Sequence, residues 1–149
     1  MKTIAQNKKA RHDYHIIEEY EAGIVLTGTE VKSLREGRSS LIGSFAKVQG
    51  NDIFLVNMHI PEYDKGNIFN HDPLRTRKLL FHKREIKKII GSLSTKGMAF
   101  VPLSIYFGPS GFVKLKMALV KGKKLYDKRE DIKKRTQERE IAKAVKRKI

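Results

Sequence analysis

Alternating apolar and polar positions predict strands over most of the first 120 residues. Residues 98–107 and 112–120 read as the arms of a hairpin, because Gly108-Pro109-Ser110-Gly111 between them has strong turn chemistry. The second arm indicates a strand with one apolar and one basic face. Its apolar residues are Val113, Leu115, Met117 and Leu119, and they alternate with Lys114, Lys116 and Ala118.

Further extended segments are predicted earlier in the chain. Residues 46–48 and 53–56 flank Gly50-Asn51-Asp52, a pattern typical of a second hairpin. Residues 14–20 and 23–27 are predicted as two separate extended stretches, the second of them buried.

Two short helices are expected between the strands. Thr29 is a suitable N-cap for a helix over residues 30–36, and Gly37 is placed to end it. Residues 83–93 predict an amphipathic helix, because four apolar residues recur at helical spacing. These are Ile86, Ile89, Ile90 and Leu93. The fold class is therefore mainly β, a small closed or partly open antiparallel barrel of about six strands with two or three short helices.

Charge divides the chain into two parts. The 149 residues include 32 Lys and Arg against 16 Asp and Glu, a net charge of +16. Residues 121–149 hold thirteen basic and five acidic residues, net +8, and residues 1–120 carry the other +8. We therefore predict a barrel over 1–120 and a basic C-terminal tail over 121–149. Such an excess favours a polyanionic partner, either nucleic acid or an anionic membrane.

Composition excludes several function classes. There is no Cys, hence no disulfide framework, thiolate nucleophile or Cys-ligated zinc. The longest uncharged stretch, 97–113, is interrupted by proline and glycine and does not predict a membrane helix. Residues 1–6 show no apolar signal sequence, so a cytoplasmic location without membrane partners is expected.

Catalytic motifs are not found. Lys121-Gly122-Lys123-Lys124 lacks the upstream glycine and the Ser or Thr of a phosphate-binding loop. No histidine has a neighbour at metal-ligand spacing, so no metal or cofactor is predicted. His71-Asp72 could act as an acid–base pair. The favoured interpretation is that Asp72-Pro73 begins a turn and that His71 lies on the surface.

Three basic clusters are candidate RNA contacts. Asn7-Lys8-Lys9-Ala10-Arg11-His12-Asp13-Tyr14 combines phosphate-binding charges with groups that can stack on a base, although a disordered terminus is an equal alternative. Arg75-Thr76-Arg77-Lys78 could instead be a solvated edge, with Leu79 and Phe81 in the core. The third cluster comprises Lys114, Lys116, Lys121, Lys123 and Lys124.

Five motifs, in this order and at this spacing, resemble the SmpB family of bacterial SsrA-binding proteins. They are residues 7–14, Glu21-Ala22-Gly23, Gly28-Thr29-Glu30-Val31-Lys32-Ser33-Leu34-Arg35, Asp72-Pro73-Leu74-Arg75-Thr76-Arg77-Lys78-Leu79-Leu80 and Lys121-Gly122-Lys123-Lys124-Leu125-Tyr126-Asp127-Lys128-Arg129. The resemblance spans nearly the whole chain. It implies an OB-fold barrel and a non-enzymatic RNA-binding adaptor, monomeric when free. This adaptor binds the tRNA-like domain of transfer-messenger RNA (tmRNA) and delivers it to stalled ribosomes.

The resemblance also implies roles for individual residues. Candidate RNA contacts, from the matching motifs and the basic clusters, are Asn7, Lys8, Arg11, His12, Tyr14, Glu21, Lys32, Arg35, Arg75, Arg77, Lys78, Leu80, Lys121, Lys123 and Lys124. The tail would enter the empty mRNA channel, with Tyr126, Asp127, Lys128 and Arg129 near the decoding centre. Because a lone, strongly charged helix is marginal in water, we expect the tail to be disordered when free and helical on the ribosome.

Two questions stay open on the residues alone. Glu21 could accept hydrogen bonds from a base edge, hold an arginine in place, or form a salt bridge with a neighbouring lysine. A small basic ribosomal protein, a general structured-RNA binder, or an RNA-modifying enzyme using His71 or Asp72 would also account for parts of the pattern.

Overall fold

Both predicted hairpins form in the computed structural model, which describes residues 2–122. In this part of the chain seven strands and three α-helices follow one another, with a 3-10 turn at Asn67–Phe69 before the fifth strand. The elements are β1 Lys2–Gln6, α1 Lys8–Asp13, β2 Tyr14–Ile24, α2 Gly28–Arg35, β3 Phe45–Gln49, β4 Asp52–Val56, β5 Arg77–Leu80, α3 Lys83–Leu93, β6 Met98–Phe107 and β7 Val113–Gly122.

The strands form one antiparallel sheet in the order β1-β6-β7-β2-β5-β4-β3. The sheet curls so that β3 approaches β6, but no ladder joins these two strands. The result is an open barrel, which confirms the predicted OB-like fold class. Its core is closed by residues with almost no solvent exposure, including Ile53, Leu55, Phe100, Ile105, Leu115 and Met117.

Two details of the sequence prediction are wrong, and one open alternative is decided. Residues 14–24 form one long strand, because β7 pairs with β2 along its length across a register shift near Ile17. The N-cap of α2 is Thr27 and not Thr29, because Thr27 accepts from the Glu30 backbone while the Glu30 carboxylate accepts from the Thr27 N–H. Residues 7–14, for which a disordered terminus was an equal alternative, are ordered: Asn7 caps α1, and Tyr14 begins β2.

The helix ends and the last strand bear on the remaining predictions. Gly37 adopts a φ of 78° after α2, and its N–H bonds the Leu34 carbonyl, so it ends the helix as expected. Helix α3 has the predicted bounds. Strand β7 continues through Lys121 and Gly122, opposite His15 and Tyr14. The tail is predicted to begin at Lys121, but Lys121 and Gly122 belong to β7, so that boundary is wrong. The predicted disorder and ordering of the rest of the tail concern residues that lie outside the described part.

Candidate nucleic-acid interface

Cross-strand neighbours form two rows on the outer face of the sheet. One row runs Gln6, Ser104, Lys116, Glu21 across β1, β6, β7 and β2. The other runs Thr3, Tyr106, Lys114, Gly23, Leu80 and reaches β5. Between the rows, Ile105, Leu115 and Ala22 are fully buried and face the core. Because successive side chains alternate across a strand, both rows belong to the outer face, here called the sheet face.

Glu21 is held in place by a tyrosine on the sheet face. The Tyr106 hydroxyl donates to Glu21 Oε2 at 2.7 Å. Burial, together with the hydrogen bond to the Glu21 carboxylate and its charge, raises the pKa of Tyr106 to about 12. Tyr106 therefore stays protonated and fixes the orientation of an exposed acceptor. Among the described residues the partner of Glu21 is thus a tyrosine and not a lysine, and contact of Glu21 with a base edge stays a prediction.

Leu80 lies in an apolar cleft at the end of the second row. Gly23 faces it from β2, where an added Cβ would lie 3.2 Å from the Leu80 Cβ. Leu80 is 48% exposed and Phe112, across the cleft, is 72% exposed. The cleft measures about 440 Å³, and Arg35 and Lys114 also line it. An apolar floor with two cations at its rim can receive a nucleotide base and an adjacent phosphate.

Helix α1 places two cations beside the first row. Lys8 and Arg11 line a hollow of about 240 Å³ together with Ser104 and Lys116. Lys8 and Arg11 are exposed, although Arg11 also lies 3.7 Å from Glu19. The sheet face thus has basic groups at both ends, and Glu21 lies between them.

Asn7 has an internal role. Its side chain is 7% exposed and caps α1, with Oδ1 accepting from the Ala10 N–H at 3.3 Å. Its Nδ2 donates to the Pro102 carbonyl at 3.1 Å. Asn7 therefore fixes the helix that carries Lys8 and Arg11, and direct contact of Asn7 with RNA stays a prediction.

Arg77 does not belong to an exposed surface, contrary to its place among the candidate RNA contacts. Its guanidinium is fully buried, bonds the Glu30 carboxylate and donates to the Met58 carbonyl at 2.6 Å. Arg75 donates to the same carboxylate at 2.6 Å. Burial would raise the pKa of Glu30, but the hydrogen bonds from Arg75, the Thr27 backbone and Arg77 together lower it. This buried cluster joins α2 to β5.

The other candidates are dispersed. Lys78 is exposed and lies 3.5 Å from Asp52 on β4. Lys32 Nζ lies 5.7 Å above the Tyr63 ring.

His12 is exposed beside Asp13, whereas Tyr14 is half-buried against the small apolar cluster under α1. Lys121 is exposed at the end of β7. Lys123, Lys124, Tyr126, Asp127, Lys128 and Arg129 lie outside the described residues.

His71 and Asp72, the residues considered as an acid–base pair, have structural roles. His71 is only 6% exposed, and its ring bonds Thr29 Oγ1 and the Ile60 carbonyl, each at 2.8 Å. The prediction that His71 lies on the surface is therefore wrong. Asp72 begins a turn, as predicted: its carboxylate accepts from the Leu74 N–H and its carbonyl from the Arg75 N–H.

Several residues of the sheet face were not among the predicted contacts. Tyr106 and Phe112 are absent from the predicted contacts, whereas Lys114 and Lys116 belong to the third basic cluster. A glycine inside a strand often marks close approach of another group, so Gly23 offered a signal. Phe112 carried none, because an aromatic beside a turn is equally typical of a core residue.

Other site types are not found in the described residues. Residues 2–122 contain no cluster of three or more His, Asp or Glu side chains that could hold a metal ion. The same part of the chain has no helix that combines the length and apolarity needed to cross a bilayer.

Comparison with known proteins places these features in a family. The model of the SmpB protein family matches residues 4–147. The SsrA-binding protein of Geobacillus thermodenitrificans is 59% identical over 143 residues, covering 96% of this chain and 92% of its own. The SsrA-binding protein of Thermoanaerobacter pseudethanolicus is 57% identical over 148 residues, and the match covers 99% of this chain and 94% of that protein's length. A solved chain from "tmRNA-SmpB: a journey to the center of the bacterial ribosome" is 49% identical, with a TM-score of 0.68, covering 81% of this chain and 85% of its own.

Proposed function

This chain belongs to the SmpB family, and from that membership we propose that it is an RNA-binding adaptor of trans-translation. It binds tmRNA, the RNA called SsrA in its relatives' name, and brings it to stalled ribosomes. Its activity is binding and not catalysis. A protein acting on ribosomes works in the cytoplasm.

The single observation that carries the RNA-binding surface is the continuity of the sheet face. Lys8 and Arg11 at one end and Arg35 and Lys114 at the other lie on a surface that also carries Glu21 and Leu80. Cations at the two ends can bind phosphates and set the register of the RNA. The carboxylate and the apolar cleft between them can contact bases, which gives preference for one folded RNA over others.

The tail has a separate proposed role. Residues 121–149 carry half of the net charge in about a fifth of the length. A basic segment of this kind suits a channel lined by ribosomal RNA, where phosphates offset its self-repulsion. We place Tyr126, Asp127, Lys128 and Arg129 near the decoding centre by their match to the family motif.

Titration with two RNAs tests this function. The full chain is titrated with a tRNA-like fragment of tmRNA and with a size-matched hairpin RNA, at several salt concentrations. We expect tighter binding of the tRNA-like fragment at every salt concentration, since base and shape contacts add to phosphate contacts. Equal affinities with equally steep salt dependence would identify a general phosphate binder instead.

A further inference from the structure

An apolar groove opens where the barrel is not closed. Strand β3 is the last strand of the sheet, and β1 pairs with β6 only over residues 104–107 of β6. The first half of β6 therefore faces β3 across an open seam, with α1 beside it. A strand edge without a partner is available to another segment of chain. The groove along this seam has a volume of about 550 Å³, which is typical of ligand pockets. We call it the seam groove.

The seam groove is lined mainly by apolar side chains that the barrel leaves partly exposed. Val48, Leu93 and Met98 are half-buried, and Phe45 is 43% exposed. Covering such side chains with a further apolar group is favourable, because it removes their surface from water. The seam groove is separate from the sheet face, since it shares only the internal residue Asn7 with the hollow beside the first row and no residue with the Leu80 cleft.

The described part of the chain ends beside this groove. In β7, Lys121 pairs with Met98 and Gly122 pairs with Tyr14, and the Gly122 N–H bonds the Gly97 carbonyl at 3.3 Å. The Tyr14 ring lies against Gly122, because a Cβ added there would be 3.8 Å from it. Tyr14 and Met98 both line the seam groove. The chain therefore continues from the edge of the groove itself.

The residues that follow Gly122 have a composition suited to the seam groove. Lys123-Lys124 is followed by Leu125 and Tyr126, and Tyr126 is the only aromatic residue in the sequence of the tail. An extended chain advances about 3.3–3.6 Å per residue, so Leu125 can lie up to about 10 Å from Gly122 and Tyr126 up to about 14 Å. The next apolar residue, Ile132, comes only after five consecutive charged residues. Leu125 and Tyr126 are therefore the apolar pair within reach of the groove.

We propose that Leu125 and Tyr126 dock into the seam groove in the free protein. The choice of this occupant rests on the apolar lining and on the exit of the chain at the edge of the groove. Charge does not decide it, because Lys9 and Asp13, which also line the groove, have opposite signs. Docking holds Tyr126 away from the decoding centre until the tail is released, and this consequence alone rests on the proposed function.

Disulfide formation measures docking, because the chain has no Cys of its own. In the full chain, Leu125→Cys is combined with Phe45→Cys or Val48→Cys at the groove, or with Ile17→Cys as the matched control. Ile17 is 55% exposed and lies three residues from Tyr14 on β2, about 10 Å along the strand, so the tail can reach it too. We expect at least one groove pair to form its disulfide about tenfold faster than the control pair, because docking raises the effective concentration of position 125 there.

Two outcomes of the disulfide experiment would overturn the proposal. One is that both groove pairs react no faster than the control pair. The other is that disulfide-linked dimers form in place of the intramolecular bond, which would identify a second copy of the chain as the occupant.

Fluorescence measures docking without a covalent bond. The chain has no Trp, so Tyr126→Trp places a single indole in the tail. Its emission should lie at shorter wavelength than that of the same protein unfolded in urea, because docking removes the ring from water. Phe45→Lys should reverse this shift and Ile17→Lys should not. Emission equal to that of the unfolded chain, or an equal effect of both lysine variants, would overturn the proposal.

The disulfide also tests the release of the tail. The oxidised Phe45→Cys/Leu125→Cys protein should bind the tRNA-like RNA fragment as its reduced form does, but it should rescue stalled ribosomes only after reduction. Rescue by the oxidised protein would contradict the hold on Tyr126. Because the rate and fluorescence experiments contain no RNA, failure of docking is distinct from failure of the proposed function, which would be seen as loss of tmRNA binding by the unmodified chain.

Discussion

Glu30 is the residue on which the junction between α2 and β5 depends. Its carboxylate is fully buried and receives hydrogen bonds from Arg75 and Arg77, while Arg77 also donates to the Met58 and Pro73 carbonyls. A buried guanidinium without its carboxylate would be an uncompensated charge. The cluster therefore stabilises the fold only as a complete unit.

We predict that Glu30→Gln lowers the free energy of unfolding by about 3–5 kcal/mol, the usual cost of breaking a buried ion pair. Urea denaturation at pH 7 measures this. Glu36→Gln, which alters an exposed carboxylate 4.0 Å from Arg38, is the control and should change stability by less than about 1 kcal/mol. Similar small effects in both variants would contradict the assigned role of Glu30.

The same carboxylate predicts a pH dependence. Its pKa is lowered in the folded protein from the ordinary value of 4.5, so the unfolded chain takes up the proton first as the pH falls. The stabilisation is thus fully present above pH 4.5 and is lost as the pH falls through the lowered pKa of the folded state. Denaturant midpoints measured between pH 7 and pH 3 should fall less steeply for Glu30→Gln. An unchanged slope would count against the lowered pKa.

Leu79 and Leu80 are neighbours with opposite roles, and they form a matched pair. Leu79 is 2% exposed in the core, and Leu80 is 48% exposed in the cleft beside Gly23. Leu79→Ala should cost about 2–5 kcal/mol of stability and leave the RNA affinity of the folded protein unchanged. Leu80→Ala should cost about 1 kcal/mol or less and lower affinity for the tRNA-like RNA about tenfold. Thermal unfolding and RNA titration of both variants test these expectations. A loss of RNA affinity in Leu79→Ala and a large loss of stability in Leu80→Ala would contradict the assignment of Leu80 to the RNA-binding surface.

At the scale of elements, helix α1 shows how a side chain can serve binding without touching a ligand. Helix α1 has only six residues, too few to be stable in isolation. It is held by the Asn7 cap, by the bond from Asn7 to the Pro102 carbonyl and by burial of Ala10. The positions of Lys8 and Arg11 depend on this anchorage.

Replacing Asn7 distinguishes anchorage from direct contact. Asn7→Ala should lower stability by about 1–2 kcal/mol through the lost cap, and it should also lower RNA affinity because Lys8 and Arg11 are no longer fixed. Lys8→Ala should lower RNA affinity while leaving stability nearly unchanged. If Asn7→Ala weakened binding with no loss of stability, Asn7 would contact RNA directly.

The elements that could be predicted from sequence were those with a complete local signal. The hairpins combine alternating apolar positions with clear turn residues, and helix α3 has four apolar residues at helical spacing, so the positions of these elements were confirmed. Strand β1 and helix α1 were not predicted, because their polar, basic sequence is equally consistent with a disordered terminus. Strand β1 is ordered by pairing with β6, and α1 by the bond from Asn7 to the Pro102 carbonyl of β6. Both contacts join residues about 100 positions apart, which no local pattern records.

The residues of the candidate site likewise divide into those that the local sequence predicts and those that it does not. Charge clusters predicted cations near RNA, but they could not distinguish Arg77, buried on Glu30, from Lys78, exposed on the next position of β5. His71 precedes the turn predicted at Asp72-Pro73, and the sequence therefore favours a surface position for it. Its partners Thr29 and Ile60 come from other elements. Such roles depend on tertiary contacts, and only the structure shows them.

For the whole molecule, the net charge of +16 separates into two halves with different proposed partners. The barrel, with +8, presents a structured surface to a folded RNA, and the tail, with +8, is assigned to the RNA-lined channel of the ribosome. The barrel surface is preformed and carries apolar and acidic groups among its cations. We therefore expect that removing the tail abolishes ribosome rescue and leaves the binding of the tRNA-like RNA to the barrel intact.

The most direct test truncates the chain after Gly122. The shortened and full-length proteins are titrated with the tRNA-like RNA fragment, and both are assayed for rescue of ribosomes stalled on messages without a stop codon. We expect affinity for the RNA fragment to change less than about threefold while rescue is lost, because binding resides on the sheet face and the ribosomal step needs the tail. Loss of RNA affinity on truncation, or full rescue without the tail, would contradict this account.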